Sequence, residues 1–390
     1  MRKSELSADR QRCLVRCGEP YTNCRALVPP ATPRNLPTSG RVSSALHLAH
    51  EALGRLQSSV ATLPNTDLIT RTLARREAVQ SSQIEGTQTQ LPELFEYEAT
   101  QGTGEATADA KITERYVVAL KEGLDSLQQS GRDGLSIATV KRLHAVLMQD
   151  ATDRLRAGEW RDTQAWIGAG RIEDATFVPP PPSYIDACMQ ELEHSMLRYE
   201  RSDDEHFEIS VIARLAITHA QFETIHPFAD GNGRVGRLLM PLMLAENGYP
   251  PLYLSGYLLR RREAYYDSLA DIQLRNRWEP WVEFLCRAVV DACDASLSIA
   301  LDMNAIASKW LDMLGDLRVD AASRKIPRLL LGHPVTSINE MASLLDTSFQ
   351  TASTAIDQLV ARGILNEVLP QRKRNRIFHA TELLARLEDR

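Results

Sequence analysis

His226, Asp230, Arg234 and Arg237 fall in the run His-Pro-Phe-Ala-Asp-Gly-Asn-Gly-Arg-Val-Gly-Arg, residues 226–237. One base, one carboxylate and two guanidinium groups around a pair of glycines form a set suited to phosphate chemistry. Gly231 and Gly233 let the backbone approach phosphate oxygens as a nest of N–H groups, with Asn232 between them. Asp230 can hold a Mg²⁺ ion shared with those oxygens. Arg234 and Arg237, three residues apart, lie near one helix face and can grip further phosphates. His226 supplies the side-chain type best suited to general-base work at neutral pH. Phe228 is expected to turn inward and anchor the loop.

The flanking elements set where these groups stand. An apolar helix is expected over 208–225, and Pro227 makes its continuation unfavourable. A second apolar helix begins near Arg234. The glycines then sit at a helix N-terminus, whose unpaired N–H groups and dipole favour an anion. Separately, a His-Pro pair or a Gly-x-Gly is an ordinary turn; together, between two helices, they are far more specific.

Helical spacing also covers 43–56 (Leu46, Ala49, Leu53, Leu56), 68–84, 110–129, 136–148, 184–199, 237–246, 260–275 and 279–314. Helix 68–84 is expected to keep its arginines and Glu77 on a wet face and to stop at Gly86. Residues 157–182 differ, with Gly158, Gly168, Gly170 and a proline run at 179–182 among Trp160, Trp166, Ile167 and Phe177. They read as a short β-hairpin followed by a rigid extended segment. The main domain is therefore expected to be all-α with one hairpin. Residues 1–40, with Pro29, Pro30, Pro33 and Pro37, read as an extended or disordered lead-in. The last seventy residues read as a separate module. Helices near 327–331, 337–345 and 348–362, then strands at 364–369 and 376–379 around a basic turn, follow the order of a winged helix-turn-helix.

Composition narrows the class. The chain has 390 residues, 43% hydrophobic and 25% charged, as in globular proteins of two or three domains. There is no run long and apolar enough to span a bilayer and no secretory signal pattern at the start, so a cytoplasmic location is expected. Of the six cysteines, Cys188, Cys286 and Cys293 lie in apolar helical patterns, and Cys13, Cys17 and Cys24 lack a zinc-ligand spacing. A net charge of −6 argues against a chain that coats nucleic acid along its length.

The run 226–237 matches the Fic signature His-x-Phe-x-(Asp/Glu)-Gly-Asn-Gly-Arg-x-x-Arg at every fixed position, and the chain resembles the Fic/Doc (Fido) family. The resemblance implies a Fic helical core at 131–315, an N-terminal helical region at 41–130, and the winged helix-turn-helix at 320–390. It implies a protein adenylyltransferase that moves AMP from ATP to a hydroxyl side chain of a target protein or of itself. His226 would deprotonate the hydroxyl and Asp230 would bind Mg²⁺. Gly231, Asn232 and Gly233 would cradle the α- and β-phosphates, with Arg234, Val235, Gly236 and Arg237 completing the ATP site. Tyr266 resembles the residue that packs near adenine, although a half-buried core tyrosine is an equal reading. The Doc kinases, a related branch, carry a lysine where this chain has Gly233. Gly233 therefore favours nucleotidyl over phosphoryl transfer, and transfer of another nucleotide stays open.

Residues 81–86 read Ser-Ser-Gln-Ile-Glu-Gly. Ser81 and Glu85 share a helix face. By residue type alone Glu85 is a solvated surface carboxylate. The resemblance reverses this, because Fic proteins carry an inhibitory (Ser/Thr)-x-x-x-Glu-(Gly/Asn) helix whose glutamate pairs with the last arginine of the signature, here Arg237. The same glutamate assists removal of AMP in some relatives. Segment 157–182 corresponds to the flap against which a target strand is laid. For the C-terminal module two readings stand: DNA binding, with Arg372, Lys373, Arg374 and Arg376 on phosphate, or docking to protein, including a homodimer. The alternative function is accordingly a nucleotide-sensing, DNA-binding regulator with little transferase activity.

Overall fold

The structure is a computed structural model that describes residues 3–36, 39–100, 102, 108–149, 156–168, 170–203, 205–368 and 376–388. Its elements in chain order are α1 (Ala8–Arg12), β1 (Leu14–Arg16), β2 (Arg25–Leu27), α2 (Gly40–Val60), α3 (Thr66–Ile84), α4 (Leu91–Ala99), α5 (Ala108–Ser130), α6 (Ile137–Leu147), α7 (Pro182–Leu192), α8 (Val211–Ile225), α9 (Asn232–Glu246), α10 (Ser255–Arg260), α11 (Arg262–Arg275), α12 (Glu279–Met313), α13 (Ala322–Leu330), β3 (Val335–Ser337), α14 (Ile338–Leu344), α15 (Phe349–Ala361), β4 (Asn366–Glu367), β5 (Ile377–His379) and α16 (Thr381–Glu388). The fold is helical, as expected. No helix among the described residues is long and apolar enough to cross a membrane.

The chain divides into two compact units. The first takes Met1–Arg55 and Val118–Ala292, the second Leu56–Val117 and Cys293–Arg390.

In the first unit α8 is buried along all fifteen of its residues and packs on α7, α9 and α11. Its polar members are buried with it, among them Arg214, His219, Gln221 and Glu223, and a polar group taken out of water needs a partner. Ser210 starts it by accepting from the Ala213 N–H, and Ser136 starts α6 in the same way through Thr139. Each such cap is worth about 1 kcal/mol. Trp281 donates from Nε1 to the Ala216 carbonyl (2.8 Å), tying the start of α12 to the middle of α8.

Three expectations need correction here. Among the described residues, 157–182 form no hairpin of two full strands. A single antiparallel bridge, Ile167 to Phe177, encloses a short turn at Ile172–Asp174. The run Pro179 to Pro182 has no N–H to extend a ladder. Its predecessor Val178 instead accepts from the Leu27 N–H (2.9 Å). Residues 1–40 are not a bare lead-in: β1 and β2 pair antiparallel in the register Leu14–Leu27, Val15–Ala26, Arg16–Arg25. Cys17 and Ala26 there pack against Ile172, Ala175 and Val178. Pro37 lies outside the described residues. Finally, α7 stops at Leu192, and the chain continues through a wide turn, Glu193–Leu197, rather than one helix to 199.

In the second unit α3 ends at Ile84 with Glu85 as its cap, and Gly86 takes the left-handed conformation (φ 102°) that terminates helices. The wet face expected for this helix is wrong at two positions. Arg75 is buried and donates to Glu98 (2.8 Å), and Glu77 is buried and accepts from the Tyr116 hydroxyl (3.1 Å). Both find partners, which is what lets a charge leave water. The C-terminal elements pack α13 and α14 on α15, with a three-stranded antiparallel sheet in the order β3-β5-β4. Strand β3, helix α4 and helix α16 are additions to the expected elements. This module grips α3: Arg71 donates to the Gly332 carbonyl (2.9 Å) and Thr72 to that of Leu331 (2.5 Å).

Arg376 is not available for phosphate as expected. Its guanidinium makes a two-pronged pair with Glu367 (2.7 and 2.9 Å), lies near Asp357 (3.4 Å) and stacks over Phe378. Arg372, Lys373 and Arg374 lie outside the described residues.

Candidate functional site

The site is built at the turn between α8 and α9. His226 ends α8 in the left-handed conformation (φ 49°, ψ 61°), its N–H bonded to the Phe222 carbonyl (2.8 Å). Such a backbone is uncommon for a residue with a side chain and persists only where the surroundings hold it. Three groups hold it here.

Asn232 is the first. Its amide accepts from the Phe228 N–H and donates to the Phe228 carbonyl, both at 2.9 Å, and it is buried. Its side chain therefore closes the loop, and any role toward phosphate falls to its backbone N–H. Phe228 is fully buried and turned inward, as expected.

His144 on α6 is the second. Its ring stacks on Phe228 with centroids 3.7 Å apart and planes within 6°. Nδ1 accepts from the Gly158 N–H (2.9 Å), so the ring proton sits on Nε2, which donates to the Asp230 carbonyl (3.0 Å). Burial holds this imidazole down to about 4, so it stays neutral and keeps both roles.

Arg161 is the third. It donates from Nε to the His226 carbonyl (2.8 Å) and through its other nitrogens to those of Thr163 (2.9 Å) and Pro180 (2.6 Å). Its own N–H bonds to the Pro227 carbonyl (2.9 Å). Burial lowers its pKa to about 10, leaving it charged at neutral pH.

Against this frame the chemical groups can be placed. The side chain of Asp230 is 58% exposed at the mouth of the turn, with Oδ1 accepting from the Gly231 N–H (2.6 Å) and Oδ2 3.8 Å from Arg234 Nη2. Among the described residues no cluster of three metal-ligating side chains exists. One outward carboxylate fits Mg²⁺ that takes its remaining oxygens from phosphate and water, as that ion commonly does. Gly231 is left-handed (φ 77°) and precedes α9 with no side chain capping the helix. The N–H groups of Asn232, Gly233 and Arg234 thus open α9 with no acceptor inside it, an anion site. A side chain at Gly231 would crowd Met148 Sδ (3.1 Å) and the His144 ring. Arg234 and Arg237 are both buried, Arg234 against Met148 Sδ (3.4 Å). Val235 points into the core.

Beneath His226 lies a second layer. Glu223 Oε2 stands 3.7 Å from His226 Nδ1. Burial pushes the Glu223 carboxyl up, but His226, His219 and Arg237 outweigh it and hold it below the usual range. His219 is held down by its own burial, and its Nε2 meets the Tyr265 hydroxyl at 2.7 Å. Tyr265 is the buried member of its pair. Tyr266 is 42% exposed on α11, with Arg262 5.7 Å over its ring.

The structure thus brings His226, Asp230 and Gly231 to Arg237 together around one turn. Ser81 and Glu85 belong to the second unit, Ser81 buried and Glu85 exposed. Sequence reading missed His144, Arg161, Glu223 and His219. A lone histidine in an amphipathic helix or an arginine in a glycine-rich segment carries no pattern of its own; only the three-dimensional partners mark them.

Comparison with known proteins bears on the family and the fold. The profile described as "Fic/DOC family N-terminal" matches residues 43–125, and that described as "Fic/DOC family" matches 134–244. Protein adenylyltransferase fic-1 of Caenorhabditis elegans is 30% identical over 162 residues, 42% of this chain and 28% of that protein. Protein adenylyltransferase Fic of Drosophila grimshawi is 33% identical over 153 residues, 39% of this chain and 28% of that protein. The chain thus spans little more than a quarter of the length of these relatives. A Fic family protein from Desulfovibrio desulfuricans G20 shares the fold, with a TM-score of 0.53 at 20% identity over 88% of this chain and 97% of that one. A Fic domain containing signaling protein from Bacteroides thetaiotaomicron VPI-5482 gives a TM-score of 0.53 at 16% identity, over 67% of this chain and 97% of that one. With two profiles in tandem, a shared fold and every fixed position of the signature on one turn, the chain belongs to the Fic/DOC family.

Proposed function

We propose that the protein transfers AMP from ATP to a hydroxyl side chain of a protein. The observation that carries this reading is the turn itself: His226 at the end of α8 and the uncapped N-terminus of α9 are held on one loop by Asn232, His144 and Arg161. The relatives named protein adenylyltransferases support the choice of nucleotidyl transfer.

In this reaction the target oxygen attacks the α-phosphorus of ATP, the bond to the bridging oxygen of pyrophosphate breaks, and His226 takes the hydroxyl proton. The N–H groups of Asn232 and Gly233 donate to the phosphate oxygens, where charge builds in the transition state. Arg234 and Arg237 neutralise the departing pyrophosphate. Asp230 would hold Mg²⁺, which supplies charge neutralisation at the phosphates. Tyr266, half exposed on α11, would pack near the adenine. Segment 157–182 aligns the target chain.

We also propose that Glu85 restrains this activity, on the spacing of Ser81, Glu85 and Gly86 at the end of α3.

Incubation with ATP labelled at the α-phosphate tests both statements. Label should enter protein, rise in Glu85→Gly and vanish in His226→Ala. Label entering only from the γ-phosphate would replace the reading with phosphoryl transfer. No protein label from either position in Glu85→Gly would refute it.

A further inference from the structure

The layer under the turn contains two buried polar atoms without hydrogen-bond partners among the described residues, Glu223 Oε1 and His226 Nδ1. They lie on the same side of α8, one helical turn apart, with the other carboxylate oxygen of Glu223 3.7 Å from that Nδ1. Leaving either atom unpaired costs stability, and costs more for a charged group than for a neutral one. Glu223 Oε2 thus stands just beyond bonding distance of an orphaned nitrogen, and one bond made during function accounts for the arrangement.

We propose that Glu223 is the positioning residue of His226, accepting its Nδ1–H so that Nε2 is presented unprotonated to the target hydroxyl. This rests on His226 being the base. A small side-chain rotation closes the gap when substrates fill the site, and such bonds are commonly long before substrate arrives. Once His226 has taken the hydroxyl proton, the carboxylate neutralises the imidazolium. The groups that face Glu223 are His226 and His219 from α8 and Arg237 from α9.

An independent observation supports the assignment. Gly236 has no conformational need to be glycine, since it is an ordinary helical position. A Cβ there would come within 2.9 Å of Glu223 Oε1 and 3.2 Å of the His219 ring. The glycine leaves the space in which the carboxylate lies under His226.

The test uses ¹⁵N-histidine NMR of the full chain, with His226 assigned by comparison with His226→Ala. The ring shifts report which nitrogen carries the proton in the neutral form, and they do so without turnover. The wild type should carry it on Nδ1, and Glu223→Leu should lose that preference. A wild-type proton on Nε2 overturns the proposal even if the leucine variant fails to fold, as does an identical tautomer in both proteins. In the transfer assay Glu223→Gln should lower kcat roughly tenfold or more with KM for ATP unchanged. An unchanged kcat in that variant also overturns it. If wild type and Glu85→Gly transfer nothing while the tautomer result holds, the fault lies with the proposed reaction and not with the pair.

Discussion

Replacing Arg161 by lysine tests the frame of the site most directly. The arginine binds three backbone carbonyls at once, those of His226, Thr163 and Pro180, at 2.6 to 2.9 Å. A guanidinium can do this because its donors are fixed in a planar fork; an ammonium on a flexible stem cannot span the same three oxygens. Lysine would leave about two of them without a donor, at about 1 kcal/mol or slightly more each, so Arg161→Lys should cost about 2–3 kcal/mol. The same burial that lowers Arg161 to about 10 would also draw lysine, which starts lower, toward neutral pH. The consequence for activity comes through His226, whose carbonyl anchors a left-handed residue (φ 49°). Releasing that carbonyl frees the imidazole to leave its place, and kcat should fall by roughly tenfold or more. Urea denaturation and single-turnover AMP transfer measure the two effects. A lysine variant within about 0.5 kcal/mol of wild type and equally active would show that the three bonds do not hold the turn.

Asn232→Ala should remove the reciprocal pair with Phe228 and cost about 2 kcal/mol, with loss of ATP binding by calorimetry; retained binding would mean that the turn closes without it. Gly332→Val should unseat the C-terminal module from α3, because a Cβ there would meet Leu68 Cδ2 at 2.8 Å and Arg71 Cδ at 3.3 Å. If Glu85 acts through α3, basal labelling should then rise; unchanged labelling with a lowered melting temperature would separate the module from the brake. Stability should also depend on Glu205, which Arg34 holds at about 2, below the ordinary value of 4.5. A carboxyl depressed in the folded state contributes fully above the unfolded pKa and loses its contribution as pH falls toward 2. Melting temperature between about pH 6 and about pH 3 should therefore drop further in wild type than in Glu205→Gln, and parallel curves would refute the pairing.

What could be read from the chain beforehand follows from the range of the interactions involved. The helices were legible because their signal is local: the three- and four-residue spacing of Leu46, Ala49, Leu53 and Leu56 in α2 and the stop at Gly86 are written within a few residues. The strands were not. Residues 14–16 and 25–27 have little alternation, and their pairing is completed by Val178, some 150 residues away. The hairpin read before the proline run at 179–182 comes down to one bridge, Ile167 to Phe177, because the run that follows lacks the donors a ladder needs. Charge was misread for the same reason. Glu77 and Arg75 have the residue types of a wet face, and only Tyr116 and Glu98, from other helices, make their burial tolerable.

The site itself shows a division that the signature hides. Its fixed positions look like a row of catalytic groups, but the geometry separates them. Phe228 and Asn232 spend their side chains on closing the turn, and Gly231 is required by its left-handed backbone and the closeness of Met148. In the proposed reaction His226, Asp230 and the two arginines meet the ligand, with the N–H groups that open α9. The spacing is therefore first a folding constraint: an amide four residues after the phenylalanine can close both of its backbone groups, whatever reaction is run above it. It follows that the signature alone specifies a shaped anion site with a base beside it. The choice of reaction has to come from the groups around that shape, namely the carboxylate beneath His226, the segment held by Arg161, and the glycine at 233. Substitutions in those groups, with the turn left intact, are where a change of chemistry should be sought.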